Sequence, residues 1–485
     1  MRERVLFHGA SGRGRAPKPL TAGPVRAMTR GAMSLACLAA LALAAGQEPV
    51  VPAISFQEFT LPNGLHVVLH EDHTAPVVGV DMLHDVGSKD ERPGRTGLAH
   101  LFEHLMFQGT EHLPKGEADR LVEAAGGSAN GSTSNDRTQY WEQVPSSALE
   151  QVLFIQSERM GYLLPTLDQA KLDNQRDVVR NERRQSYEMQ PYGLAMKRVL
   201  ETLWDPEFPY SWMTIGSHED LEAATLGEVR AFFRRYYGPQ NASLAIAGDI
   251  DPALARALVE KWFADIPAGE PLRRTPPAPK PLQAEKRVAM RDRVQLPRVY
   301  LAWQSPRDYA EDDAALAILG EVLSSGKSAR LQKRLVMEER IAQSVMAVQH
   351  GQSLAGMFLV VATAKPGETL ERLEREIDEE IARLGREPPS TEELQRAKNR
   401  IESQAIFGLE PVGGFGGRAA ALNGYWMETG DPGYLGKDLA RYLEVTPAQV
   451  SAAARRWLRP QARVVLQVTP ANGGPAPAGG EKEPS

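Results

Sequence analysis

Cysteine is nearly absent from this chain of 485 residues: Cys37 is the only one, so no disulfide can form within the chain and the fold must rest on its core. No apolar run is long enough to span a bilayer, since the longest, residues 34–45, falls well short of the ~20 residues required. No stable membrane span is therefore expected. Charge of one sign is also lacking, with 56 Lys and Arg against 62 Asp and Glu. Without a basic excess, nucleic acid is excluded as the natural partner. What remains is ordinary globular composition, 42% hydrophobic and 24% charged, at a length that accommodates two or three domains.

The first 45 residues stand apart. Met28-Thr-Arg-Gly-Ala-Met33 gives a short basic region, and the apolar residues 34–45 follow it and end in small side chains. This is the pattern of a secretory signal, with cleavage near Ala44 and translation starting at Met28. An exported protein is expected, most fittingly in the periplasm. A lipoprotein reading of Cys37 fits poorly, because the apolar run lies mostly after the cysteine. Removing residues 1–44 leaves 49 basic and 61 acidic residues, a net charge of −12 that favours neutral or cationic peptides as substrates.

The richest feature is His100-Leu-Phe-Glu-His104 within the apolar run Gly97-Leu-Ala-His-Leu-Phe-Glu-His-Leu-Met-Phe107. On a helix, His100 and His104 share a face and can reach one ion, while Glu103 projects beside them to take a proton from water. The order His-x-x-Glu-His is the inverzincin signature. A catalytic zinc usually takes three protein ligands, and Glu182, in the charged stretch 172–188 that lacks Gly and Pro, is the third.

These residues resemble the M16 peptidase family (pitrilysin, insulin-degrading enzyme, mitochondrial processing peptidase), in which a glutamate ligand follows the inverted motif by about 75 residues. Arg176-Asp-Val-Val-Arg-Asn-Glu182 matches the family's text around that ligand. Gly94-Arg-Thr-Gly-Leu-Ala-His100, Asn130-Gly-Ser-Thr-Ser134 and Tyr187-Glu-Met-Gln-Pro-Tyr-Gly193 resemble its bacterial short-chain branch. One departure is Gln175, where many relatives carry a supporting glutamate; an amide can orient a group but adds no charge. The resemblance implies one zinc per chain and hydrolysis of short, unfolded peptides.

A long internal repeat divides the chain. Thr225-Leu-Gly-Glu-Val-Arg-Ala-Phe-Phe-Arg-Arg-Tyr-Tyr-Gly-Pro-Gln240 recurs, 221 residues later, as Thr446-Pro-Ala-Gln-Val-Ser-Ala-Ala-Ala-Arg-Arg-Trp-Leu-Arg-Pro-Gln461. Each copy reads as a capped helix leading into a strand, residues 242–247 and 463–468, and a period this long means duplicated domains. The proline-rich residues 267–284 form an extended linker between them. The expected organisation is a targeting segment (1–45), a zinc-binding catalytic domain (50–266), the linker, a second homologous domain without the motif (285–470) and a disordered tail (471–485). A hairpin at Asn63-Gly64, strands at 77–83, 299–303 and 357–362, and helices near 310–323, 366–384 and 389–408 give an α+β fold: two lobes, each a largely antiparallel sheet with packed helices.

The resemblance assigns further roles. In larger relatives an Arg and a Tyr seven apart in the second half reach the zinc site, and Arg418 and Tyr425 have that spacing. They would brace the oxyanion, and because a two-lobe chain supplies half of the family's four-lobe chamber, they would act on another chain's site: a homodimer, or a pairing with an M16-like subunit. Ala129, Asn130, Gly131 and Ser132 correspond to the edge strand on which relatives align peptide by strand addition. Asn130-Gly131 reads equally well as a simple turn. His70, His73, His84 and His112 lack paired spacing and read as surface or strand residues. The expected activity is zinc-dependent endopeptidase with Glu103 as general base; the alternative is a catalytically silent peptide-binding or assembly subunit.

Overall fold

The structure is a computed structural model that describes residues 53–471. The expected signal segment, and the tail after residue 471, lie outside the described residues.

The first strands form where the turn chemistry directs. Gly64 takes φ +93°, as the Asn63-Gly64 turn requires, and joins β1 (Gln57–Thr60) to β2 (His66–Glu71) in an antiparallel hairpin. Asn63 then donates to the carbonyls of Phe263 and Ile266, at 2.8 and 2.9 Å, tying the hairpin to the end of helix Pro252–Phe263. The sheet is completed by β3 (Val77–His84), β4 (Ser128–Thr133), β5 (Thr138–Pro145) and β6 (Ala242–Gly248), in the order β1-β2-β6-β3-β5-β4. A second sheet holds β7 (Lys286–Asp292), β8 (Arg298–Ser305), β9 (Ala342–His350), β10 (Gly356–Ala364) and β11 (Val464–Pro470), in the order β7-β11-β8-β10-β9.

Most pairings are antiparallel, as expected, but each sheet is mixed. β6 returns after the helical region to lie parallel to β2 and antiparallel to β3, and β11 does the same between β7 and β8. Apart from β1, the two strand orders coincide position for position. The repeated helices Leu226–Tyr236 and Pro447–Trp457 both begin with capping boxes, Thr225 with Glu228 and Thr446 with Gln449. The fold is thus α+β, two duplicated domains.

Each sheet carries helices on one face. Val78, Val80 and Met82 of the first pack against helices Leu149–Tyr162 and Pro252–Phe263; Leu301 and Trp303 of the second pack against Asp313–Ser324, Leu370–Arg386 and Pro447–Trp457. The opposite faces are covered by exchange. Helix Ala195–Leu203, from the first half, lays Ala195, Val199 and Leu203 on Tyr300, Ala302 and Leu466 of the second sheet. Helix Arg418–Thr429, from the second half, lays Ala419 and Leu422 on Val68, Ala245 and Ala247 of the first. Residues 267–283 contain neither helix nor strand. Among the described residues no helix is long and apolar enough to cross a membrane.

Candidate active site

The motif folds as helix Leu98–Leu105, and its apolar positions explain which face remains for chemistry. Leu98, Leu101, Phe102 and Leu105 are buried, with Phe102 stacked on Tyr237 at 4.8 Å, which turns His100, Glu103 and His104 to the other side. The helix starts at Gly97, φ +87°, which has no side chain to cap it. Buried Glu91 serves instead: its carboxylate accepts from the backbone N–H groups of Gly97 (2.9 Å) and Ala99 (2.8 Å). Burial pushes this carboxyl up to about 8, against the two amides, which favour the anion.

Glu182 lies near the end of helix Gln169–Arg183, capped by Asp168 and seated through Leu172, Gln175 and Val179. The helix then widens into a single π-helical turn, Arg184–Glu188. Such turns are rare and concentrate at functional sites. Arg183, next to the candidate ligand, donates to the Gly216 carbonyl at 2.8 Å and meets Glu188 at 3.1 Å. Gly216 in turn abuts Gly97 so closely that a Cβ would lie 2.6 Å from the Gly97 Cα, so the two helices are fixed relative to each other.

His100, His104 and Glu182 come together, with one ligand atom from each within 4.8 Å of the others. His104 Nε2 is 3.2 Å from Glu182 Oε2 and His100 Nε2 is 3.8 Å from Oε1; the rings stand 4.8 Å apart at 71°. Burial holds His100 below the usual imidazole range, in the neutral form that ligates metal, and the hydrogen bond from His104 holds Glu182 ionised. Two imidazoles and a carboxylate, converging and only partly buried, are the donor set of a zinc site with an open position. The residues fit the metal.

Glu103 sits beside this group, and burial raises its carboxyl above the usual range. Thr133 Oγ1 donates to Glu103 Oε2 at 2.6 Å. Residues 128–133 form edge strand β4, not a turn, so Asn130-Gly131 lies within a strand. Gly131 faces the motif helix, where a Cβ would come 3.3 Å from Glu103 Cγ, while Asn130 is exposed. Ala129 and Ser132 flank them on the same open edge.

Arg418 and Tyr425 share helix Arg418–Thr429, but their partners lie elsewhere: Arg418 meets Asp72 at 2.5 Å and Tyr425 donates to Asp438 at 3.1 Å. Strand register places them across the sheet from the triad. Gly131, Tyr140, Met82 and Leu244 are paired neighbours on the face that carries the motif helix, whereas Asp81, which Asn423 of this second helix binds at 2.7 Å, points to the other face. Gln175 is buried and donates to Asn174 at 2.8 Å. Of the remaining histidines, His70 and His84 lie in strands and His73 is exposed.

Two residues of the site escaped sequence reasoning, Glu91 and Thr133. The signal for Glu91 was a helix start without a Ser, Thr, Asp or Asn cap; for Thr133 it was strand alternation, which places it on the same face as Gly131.

Residues 66–208 match the family described as "Insulinase (Peptidase family M16)", and residues 223–401 match "Peptidase M16 inactive domain". The chain is 33% identical over 360 residues to zinc protease PqqE of Helicobacter pylori, covering 73% of this chain and 80% of that protein. It is 25% identical over 366 residues to a probable mitochondrial-processing peptidase subunit beta of Arabidopsis thaliana, covering 72% and 67%. The crystal structure of a protease from Helicobacter pylori superposes with TM-score 0.80 at 28% identity, covering 86% of this chain and 100% of that one. The periplasmic protease PqqL from Escherichia coli shares the fold, with TM-score 0.71 at 20% identity over 88% of this chain and 49% of that one. The chain belongs to the M16 peptidase family, as a two-domain member of the bacterial type.

Proposed function

We propose that this protein is a zinc endopeptidase that cleaves short, unfolded peptides. The observation that carries the reading is the convergence of His100, His104 and Glu182 beside a half-buried Glu103 that forms no ion pair among the described residues. His100, His104 and Glu182 would hold one zinc per chain. Zinc bound there supplies the Lewis acidity that lowers the pKa of water to about 7. Glu103 takes the proton from the attacking water as it adds to the peptide carbonyl, then delivers it to the leaving amine. The peptide is aligned on the open edge of β4, along Ala129, Asn130, Gly131 and Ser132, by main-chain hydrogen bonds that make specificity broad.

Arg418 and Tyr425 lie across the first sheet from their own triad, which favours their bracing the oxyanion in a second chain's site. A homodimer then supplies every group, although an M16-like partner would serve equally. Export to the periplasm agrees with the amino-terminal sequence and with the named location of PqqL.

A silent peptide-binding or assembly subunit is the second reading; the retention of all four motif positions counts against it. The deciding experiment is hydrolysis of a quenched peptide library with chelator, zinc add-back and Glu103→Gln. Cleavage that is lost with chelator, restored by zinc and reduced at least ~1000-fold in the variant supports the peptidase. Retained peptide without turnover supports the binder.

A further inference from the structure

The candidate ligands His100, His104 and Glu182 and the base Glu103 all sit on two helices, Leu98–Leu105 and Gln169–Arg183. Thr133 belongs to β4, the strand on which the peptide is aligned, yet its hydroxyl reaches Glu103 at 2.6 Å. Among the described residues it is the only protein group that hydrogen-bonds this carboxylate, and it engages Oε2 alone. Oε1 is left for the substrate side. Space adds to the constraint: at Gly131, two residues earlier and on the same face, a Cβ would come within 3.2–3.3 Å of Phe107, Tyr140 and Glu103 Cγ, so the strand and the base lie close together.

The strand is itself held. β4 and β5 pair from Ser128↔Gln143 to Thr133↔Thr138, and the turn that closes them carries Asp136. Asp136 accepts from Tyr210 OH (2.6 Å), Ser353 Oγ (2.6 Å) and Ser353 N (3.2 Å), and its carbonyl accepts from Lys89 Nζ at 2.6 Å. Ser353 lies between β9 and β10 of the second lobe. A continuous set of short contacts thus runs from the lobe without ligands, through Asp136 and the hairpin, to Thr133 and the base.

Resting on the peptidase reading above, we infer that Thr133 is the positioning residue of Glu103. Its single hydrogen bond selects which carboxylate oxygen receives the proton, and its place on β4 makes that orientation depend on the strand that binds substrate. The Asp136 anchor keeps the hairpin, and with it the hydroxyl, in register. A carboxylate swinging between rotamers would reach the attacking water only part of the time, so the cost of losing Thr133 falls on turnover and not on peptide or zinc affinity.

The test compares the full-length parent protein with Thr133→Val, Thr133→Ser and Asp136→Ala. Thr133→Val keeps the branch and volume but lacks the donor. We expect kcat to fall roughly 10- to 100-fold with KM and bound zinc unchanged. Thr133→Ser should return kcat to within about threefold of the parent, and Asp136→Ala should lower kcat by less than Thr133→Val. A second readout needs no turnover: crystal structures of the metal-free proteins should show Glu103 in one orientation in the parent and Thr133→Ser, and spread over several in Thr133→Val. Parental kcat in Thr133→Val, or one unchanged Glu103 orientation, overturns the inference. Loss of zinc with a proportional loss of activity also overturns it, because that is the mark of a merely structural residue. A parent that never cleaves peptide would sink the peptidase reading alone, since the crystallographic comparison still decides the role of Thr133.

Discussion

Apart from β1 the two lobes have the same strand order, and they share the same capped helix, yet among the described residues only the first has a cluster able to hold a metal ion. The second lobe keeps a helix after the equivalent strand, Asp313–Ser324 after β8, but that helix contains no histidine. A framework and its chemistry are therefore separable: sheet order and core survive replacement of every reactive side chain, because those side chains lie on the face the core does not use.

The lobes also differ in how each receives the other's helix. Ala195, Val199 and Leu203 meet the second sheet through apolar contact. On the first sheet the centre of the seam is polar: Asn423 donates to the carbonyl and carboxylate of Asp81 at 2.7 Å each and accepts from Ser243 Oγ at 2.7 Å, while Trp426 stacks on His66 at 3.9 Å. Apolar contact tolerates sliding, whereas a satisfied buried network admits one register. The seam that must hold Arg418 and Tyr425 in place is the one built from polar groups.

The comparison can be broken first at the metal. His104→Ala should lower zinc affinity at least ~100-fold, whereas Glu321→Ala, on helix Asp313–Ser324 of the second lobe, should leave zinc content at one per chain; metal analysis after dialysis checks both. Equal losses would mean that the second lobe contributes a ligand. The seams come next. Asn423→Leu, nearly isosteric, leaves Oδ1 of the buried Asp81 carboxylate without its donor, Gln139 still serving Oδ2, and should cost about 3 kcal/mol, while Leu203→Met in the apolar seam should cost less than ~1.5 kcal/mol, both by urea denaturation. The smallest effect tests likeness and not difference: Thr225→Ala and Thr446→Ala each remove a capping box and should each cost about 1 kcal/mol. A large inequality there would show that the repeated helices are not equivalent in energy.

Much of this arrangement was legible in the sequence because it is local. Helical spacing located His100, Glu103 and His104, the Asn63-Gly64 turn fixed the first hairpin, and the constant spacing of two capped helices exposed the duplication. What was hidden depends on contacts distant in sequence. The insertion of β6 between β2 and β3, which makes the sheet mixed, is decided by packing after more than 150 intervening residues. The Glu91 cap and the Thr133 bond join residues whose types are common and whose partners periodicity cannot identify. Asn130-Gly131 is the instructive case: a turn signal lying inside an edge strand, where the glycine marks the close approach of the motif helix and not a reversal of chain direction.

The exchange of helices bears on what the proline-rich connection between the halves is for. Because each half roofs the other's sheet, the halves would stay associated if that segment were cut, and the molecule is topologically a swapped dimer joined end to end. The connection then acts through effective concentration, keeping two mutually dependent folding partners at millimolar proximity from the moment of synthesis. A proteolytic nick there would turn one polypeptide into a heterodimer without opening its interior.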